Sequence, residues 1–172
     1  MRRLPVPIIV ALAVVLPIGP LRLLTAEGDA SARHAPSTTL AAIAERAGCE
    51  LTEFHEGMDT NPPVNGKFVE RDRARDGSYA GDRPPSLSAS IHALYHGRVI
   101  LQYRPDLPAD RIASLEGLVG DAVLLFENQT SMPSPVAATA YLSLMTCPRV
   151  DGRTLRALEA FRDRRRTFGQ RF

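Results

Sequence analysis

Ile91-His92-Ala93-Leu94-Tyr95-His96-Gly97-Arg98-Val99-Ile100-Leu101-Gln102-Tyr103 carries both the decision about the fold and the first candidate for chemistry. Its first half reads as the end of a short helix. Ser86, after Pro84-Pro85, offers the start, and Gly97 is the residue that a left-handed helix cap favours. Its second half, Val99 to Tyr103, is a β-rich apolar run closed by Arg104-Pro105, which predicts a buried strand. A short helix feeding a buried strand is a mixed α and β arrangement.

The flanking sequence extends that pattern. Upstream, Thr39 or Thr38 can cap a helix with Leu40, Ile43, Ala44 and Ala47 on one face, ended by Gly48, and Cys49 to Phe54 reads as a short strand. From His55 to Pro85 neither helical nor strand periodicity persists, and Pro, Gly, Asp and Arg predict a long loop. Downstream, Pro108-Ala109-Asp110 opens a helix that turns Ile112, Leu115 and Leu118 inward, and Ala122 to Phe126 is a second buried strand. Val136, Ala138, Ala140, Leu142 and Leu144 alternate with smaller or polar residues as one further strand. Asp151 caps a last helix whose inner face is Leu155, Leu158 and Phe161. The expected fold is α+β, or mixed α/β: a small mixed sheet packed by three or four helices.

The amino terminus decides the compartment. Met1-Arg2-Arg3 precedes an apolar run from Leu4 to Leu24, broken by four prolines, Gly19 and Arg22, the pattern of a signal peptide or signal anchor over residues 1–32. Ala30-Ser31-Ala32 fits the small-x-small cleavage pattern, which places cleavage after Ala32. Left uncleaved, residues 4–24 are about as long as a membrane helix needs to be. Either way the basic start stays cytoplasmic and the remainder crosses the membrane. Residues 33–39 then form a linker and residues 40–172 one extracytoplasmic domain. Removal of residues 1–32 leaves 140 of the 172 residues, and the net charge falls from +2 to +1, which is no balance for a nucleic-acid partner.

Cys49 and Cys147 bracket most of that domain. In an oxidising compartment two such cysteines are expected to pair, since neither has another cysteine or a histidine at ligand spacing.

A set of separated motifs resembles a known family. Cys49-Glu50 with Phe54, Pro62-Pro63 followed by Gly66, Ile91 to Val99, Gln102 to Pro105, the turn from Asn128 to Met132, Val136 to Ala140, and Cys147 occur in the order found in the domain-of-unknown-function 3105 family, over Cys49 to Phe168. The resemblance implies an exported or membrane-anchored bacterial domain of a kind common in actinobacteria, and it assigns no activity. Tyr95 stands where that family usually has an acidic residue, Phe68 where it commonly has a histidine, and Tyr141 where it has a tryptophan.

His92 and His96, four apart on a helix, present their imidazoles side by side, at a separation one metal ion can bridge. Met132 or Met145 could add a soft third ligand, Met132 being preferred. Two imidazoles and a thioether suit copper better than calcium or magnesium. Against this stands an ordinary helix end, with His96 on the last carbonyls and His92 packed against the sheet. His55 with Glu53 and Glu56, the Asp72, Asp76 and Gly77 turn, the sequon Asn128-Gln129-Thr130 and the arginines from Arg162 onward are weaker candidates.

Three functional readings follow. The first is a binding module that holds copper or a small ligand at His92, His96 and Met132. The second is an enzyme acting on a peptide or cell-envelope substrate, with His92 or His96 as general base and Tyr95 as proton donor. The third is an interaction domain that has lost its ancestral site.

Overall fold

The computed structural model describes residues 39–166. The signal or anchor segment, its cleavage site, His34 and most of the linker lie outside the described residues. Among the described residues no helix is long and apolar enough to cross a membrane.

The elements are α1 (Leu40–Ala47), β1 (Glu50–Glu53), β2 (Gly77–Ser78), α2 (Leu87–Tyr95), β3 (Val99–Tyr103), α3 (Ala109–Glu116), β4 (Val123–Glu127), β5 (Val136–Ala140), β6 (Ser143–Cys147) and α4 (Gly152–Arg166). Six strands form one mixed sheet in the order β1-β6-β5-β3-β4-β2. β2, β4 and β3 are mutually parallel, and the remaining pairs are antiparallel. The fold is therefore α+β, as expected.

Connectivity explains why the histidine helix stands apart from the others. The chain passes from β2 across β4 to β3 through α2, then returns from β3 to β4 through α3. Crossovers between parallel strands are right-handed in nearly all cases, so reversing direction along the sheet puts the two helices on opposite faces. The packing agrees. Val99, Leu101, Tyr103, Val123, Leu125, Val136, Ala138 and Met145 form one core with Leu115 of α3, Leu40 and Ala44 of α1, and Leu158 and Phe161 of α4. Ile100, Leu124 and Phe126 face the other way, against Ala93 and Leu94 of α2 with Ala74 and Tyr79 of the long loop. With both faces covered, every residue of β3 is buried, which is what its unbroken apolar run requires.

The caps fall where the sequence places them. Thr39 accepts from the Ala42 amide, Ser86 from the Ala89 amide, and Asp151 from the amides of Arg153 and Thr154. Gly97 has φ 73°, and the Gly97 and Arg98 amides return to the carbonyls of Leu94 and Ala93, a closed C-terminal cap that delivers the chain directly into β3. Cys49 and Cys147 are bonded to each other, just outside the Glu50–Thr146 pairing of β1 with β6. This disulfide indicates an oxidising, extracytoplasmic environment.

Two local readings are corrected. The stretch Val136 to Leu144 is not one strand but the antiparallel hairpin β5–β6, turned at Tyr141-Leu142, where Leu142 has φ 58°. The sequon at Asn128 is not open to modification in the folded chain. Asn128 is 3% exposed, and its Nδ2, the atom that would carry a glycan, donates to Gln102 Oε1 at 2.7 Å. Its Oδ1 accepts from the amides of Thr130 and Met132, so the residue closes the turn between β4 and β5.

Candidate metal centre

α2 presents His92 in its last turn and His96 at its cap. Helical spacing puts both rings on one side, with centroids 4.7 Å apart and a 2.9 Å separation between the two Nε2 atoms. His92 is 1% exposed and its ring is fixed from two directions. Nδ1 donates to the Asp72 carbonyl at 2.6 Å, and Phe68 stacks on the ring with centroids 4.6 Å apart and planes 16° from parallel. Because a carbonyl only accepts, Nδ1 carries the proton, which leaves Nε2 as the ring atom that faces His96 or a ligand.

The third donor comes from the long loop. Glu70 places Oε1 3.6 Å from His92 Nε2, and the ligand atoms of Glu70, His92 and His96 all lie within 4.8 Å of one another. Nitrogens bound at about 2.0–2.1 Å to one ion lie about 2.9–3.4 Å apart at ordinary coordination angles, so the histidine pair needs little adjustment to share a metal. The Asp72 carbonyl supplies what metal-bound histidines ordinarily have, an acceptor that fixes the tautomer and aims the other nitrogen.

The loop is held in place by contacts at several points along it. Val69 N donates to Ser88 Oγ of α2, while Asp76 accepts from Arg98 Nε at 2.5 Å and from the Ala122 amide at 3.0 Å. Gly66 lies so close to α2 that a Cβ there would come within 2.7 Å of Ile91 Cδ1, at a φ of 146° that disfavours a side chain in any case.

The structure does not bring Met132 to this group. Met132 is buried with Val64, Ala137 and Leu144, in the turn that precedes β5, and Val136 of β5 pairs with Tyr103. The helix carrying the histidines enters β3 at Val99, the other end of that strand. Met145 is likewise remote, on the α1 and α4 face.

Tyr95 turns away from the histidines as well. It is 37% exposed and packs between Phe68, at 5.0 Å, and Tyr141, at 4.6 Å. Burial first, and then its hydrogen bond to the Glu56 carboxylate, raise the pKa of the Tyr141 phenol above its ordinary value. Phe68, Tyr95 and Tyr141 thus form one aromatic row that begins on the His92 ring.

Glu70 and the Asp72 carbonyl were not recognised as part of a site from the sequence. No spacing marks them, because they reach the histidines across a long loop. The weaker candidates have structural partners instead. Glu53 pairs with Arg165 and accepts from Ser143, Glu56 accepts from Tyr141, and Arg162 pairs with Glu159 and Asp163 while donating to the Leu118 carbonyl.

Among known proteins, the family described as protein of unknown function (DUF3105) matches residues 57–167, a span that contains Glu70, the histidine helix and five of the six strands. No curated protein and no solved structure matches the chain. Since the family match covers well over half of the sequence, this chain belongs to the DUF3105 family.

Proposed function

We propose that this is an exported metal-binding domain that holds a divalent transition ion on His92 Nε2, His96 Nε2 and the Glu70 carboxylate. One observation carries the reading: three donor atoms from a helix end and a separate loop converge within 4.8 Å, and the most buried of them is already oriented by a backbone carbonyl. A carboxylate in place of a thioether changes the metal expected. Without sulfur the preference for copper(I) disappears, and two imidazoles with one carboxylate suit copper(II) or zinc, copper(II) binding more tightly. Export through residues 1–32, with cleavage after Ala32, accords with the disulfide.

A second reading has one observation in its favour. Three protein ligands leave at least one coordination position open, as catalytic zinc sites do, which keeps metal-assisted hydrolysis of a peptide or cell-envelope substrate in play.

The test is metal affinity by competition titration for the purified protein and for His92→Ala, His96→Ala, Glu70→Gln and Met132→Ala. Loss even of an outer-shell partner weakens metal sites by about 10- to 100-fold, so each histidine change should exceed roughly 100-fold. Met132→Ala should leave affinity unchanged. Stoichiometric binding that survives both histidine substitutions would place the metal elsewhere and refute the assignment.

A further inference from the structure

Resting on the metal reading above, we infer that the ion takes a small oxyanion as its exogenous ligand, a single carboxylate, carbonate or phosphate group, clamped by Arg98 and Arg73. A cleft of about 50 Å³ opens beside the histidine pair, lined by Arg73, Ala74, His92, Ala93, His96 and Arg98. Glu70 is not among its walls, so a metal held by all three residues has its carboxylate on one side and this cleft on another. The volume exceeds one water's share of liquid, about 30 Å³, and is far below that of a whole metabolite. It admits a head group and leaves the rest of any larger ligand outside.

Charge selects the head group. The ion supplies the positive charge, and the two guanidiniums on the walls, each balanced by a carboxylate, supply donors and no acceptors, a combination that disfavours a cationic or amine ligand and favours an anion. Arg98 is positioned in advance. Asp76 takes its Nε at 2.5 Å and is itself held by the Ala122 amide, while only about a third of the Arg98 side chain is exposed. One edge of the guanidinium is thereby occupied, and its terminal nitrogens remain for a ligand. Arg73 is the more exposed of the two, with its side chain 65% exposed, and its NH2 group donates to Glu70 Oε1 at 3.2 Å. It therefore links the metal-binding carboxylate to the cleft. The remaining walls, Ala74 and Ala93, are too small to fill the space and offer no side-chain donor that would select a neutral ligand.

The experiment uses the purified protein loaded with cobalt(II), whose visible absorption reports both coordination number and exchange of an open ligand position. Cobalt alone is titrated first, then acetate, bicarbonate and inorganic phosphate into the loaded protein, with chloride at equal ionic strength as control. The expected result is stoichiometric cobalt binding, a saturable spectral change with at least one oxyanion, and a weaker or absent change with chloride. With cobalt kept saturating, Arg98→Gln should weaken the oxyanion by roughly ten- to a hundredfold, the worth of one hydrogen bond to a charged group. Arg73→Gln should also weaken it, and because the Arg73 side chain is 65% exposed and pairs among the described residues with Glu70, this variant decides the matter if Arg98→Gln folds poorly. Arg98→Lys, which keeps the charge without the planar fork, should fall between Arg98→Gln and the unmodified protein. Cobalt binding with no oxyanion response, or oxyanion affinities unchanged in Arg98→Gln and Arg73→Gln, overturns the inference and leaves the metal reading intact. Absence of cobalt binding by the unmodified protein overturns both.

Discussion

Asn128→Ala tests whether the long loop is held from beneath. In the folded chain the Asn128 amide group donates to Gln102 Oε1 and accepts from the amides of Thr130 and Met132, and both Gln102 and Met132 are buried. Replacement by alanine orphans the Gln102 oxygen and the Met132 amide in places water does not readily reach. Each such group costs about 1–3 kcal/mol, and one water entering the vacated space would recover part of it, so the expected loss is about 2–4 kcal/mol. That is a large fraction of the roughly 5–15 kcal/mol that stabilises a domain of this kind. The protein has no tryptophan, so urea unfolding followed by far-ultraviolet circular dichroism is the natural assay. The midpoint should fall by roughly 1–2 M with little change in slope. Thr130 also exchanges hydrogen bonds with Asn61 in both directions, so the same substitution should loosen the loop that delivers Glu70. Gln102→Leu in the Asn128→Ala background should recover part of the stability, since it removes the orphaned Gln102 oxygen and leaves the Met132 amide as the remaining unpaired group. A loss below about 0.5 kcal/mol, the range of an ordinary surface change, would refute the argument.

Two further outcomes are expected. The protein isolated without reductant should take up alkylating reagent only after reduction, and Cys49→Ala with Cys147→Ala should cost about 4–5 kcal/mol, the chain-entropy value for a bridge spanning 98 positions; two reactive thiols in the unreduced protein would contradict the pairing. Asp151 is held at a pKa of about 2, chiefly by the Thr154 amide and then by the Arg153 amide and Arg149. Its folded value lies below the ordinary 3.8, so its contribution is fully present above about pH 4 and disappears as pH falls towards 2. Denaturation midpoints of Asp151→Asn measured across that window should therefore fall less steeply with acid than those of the unmodified protein, and parallel curves would show that the cap is not the titrating element.

Local signals carried most of the fold. Ser86, Gly97 and the run Val99–Tyr103 were sufficient to place α2, its end and the central strand, because capping and burial are written in adjacent residues. The hairpin at Tyr141-Leu142 escaped detection for a physical reason: leucine rarely adopts positive φ, so no glycine, asparagine or proline marked the turn, and the alternation of small apolar residues ran straight through it. The site divides in the same way. Helical spacing was enough to bring His92 and His96 together. Glu70 arrives through tertiary packing of an aperiodic loop, and Met132 was misplaced because nothing in a sequence states at which end of a strand a distant turn will lie.

The two outer strands of the sheet constrain how this domain can meet another polypeptide. At one margin β1 is four residues long and carries Glu50 and Glu53, both exposed, with the disulfide at its root. At the other, β2 is only Gly77–Ser78. A long, flat, apolar border invites an extended peptide or a second molecule to continue the hydrogen-bond ladder, and charge and brevity are the usual protections against it. Among the described residues neither margin offers such a template, so self-association through sheet extension is discouraged.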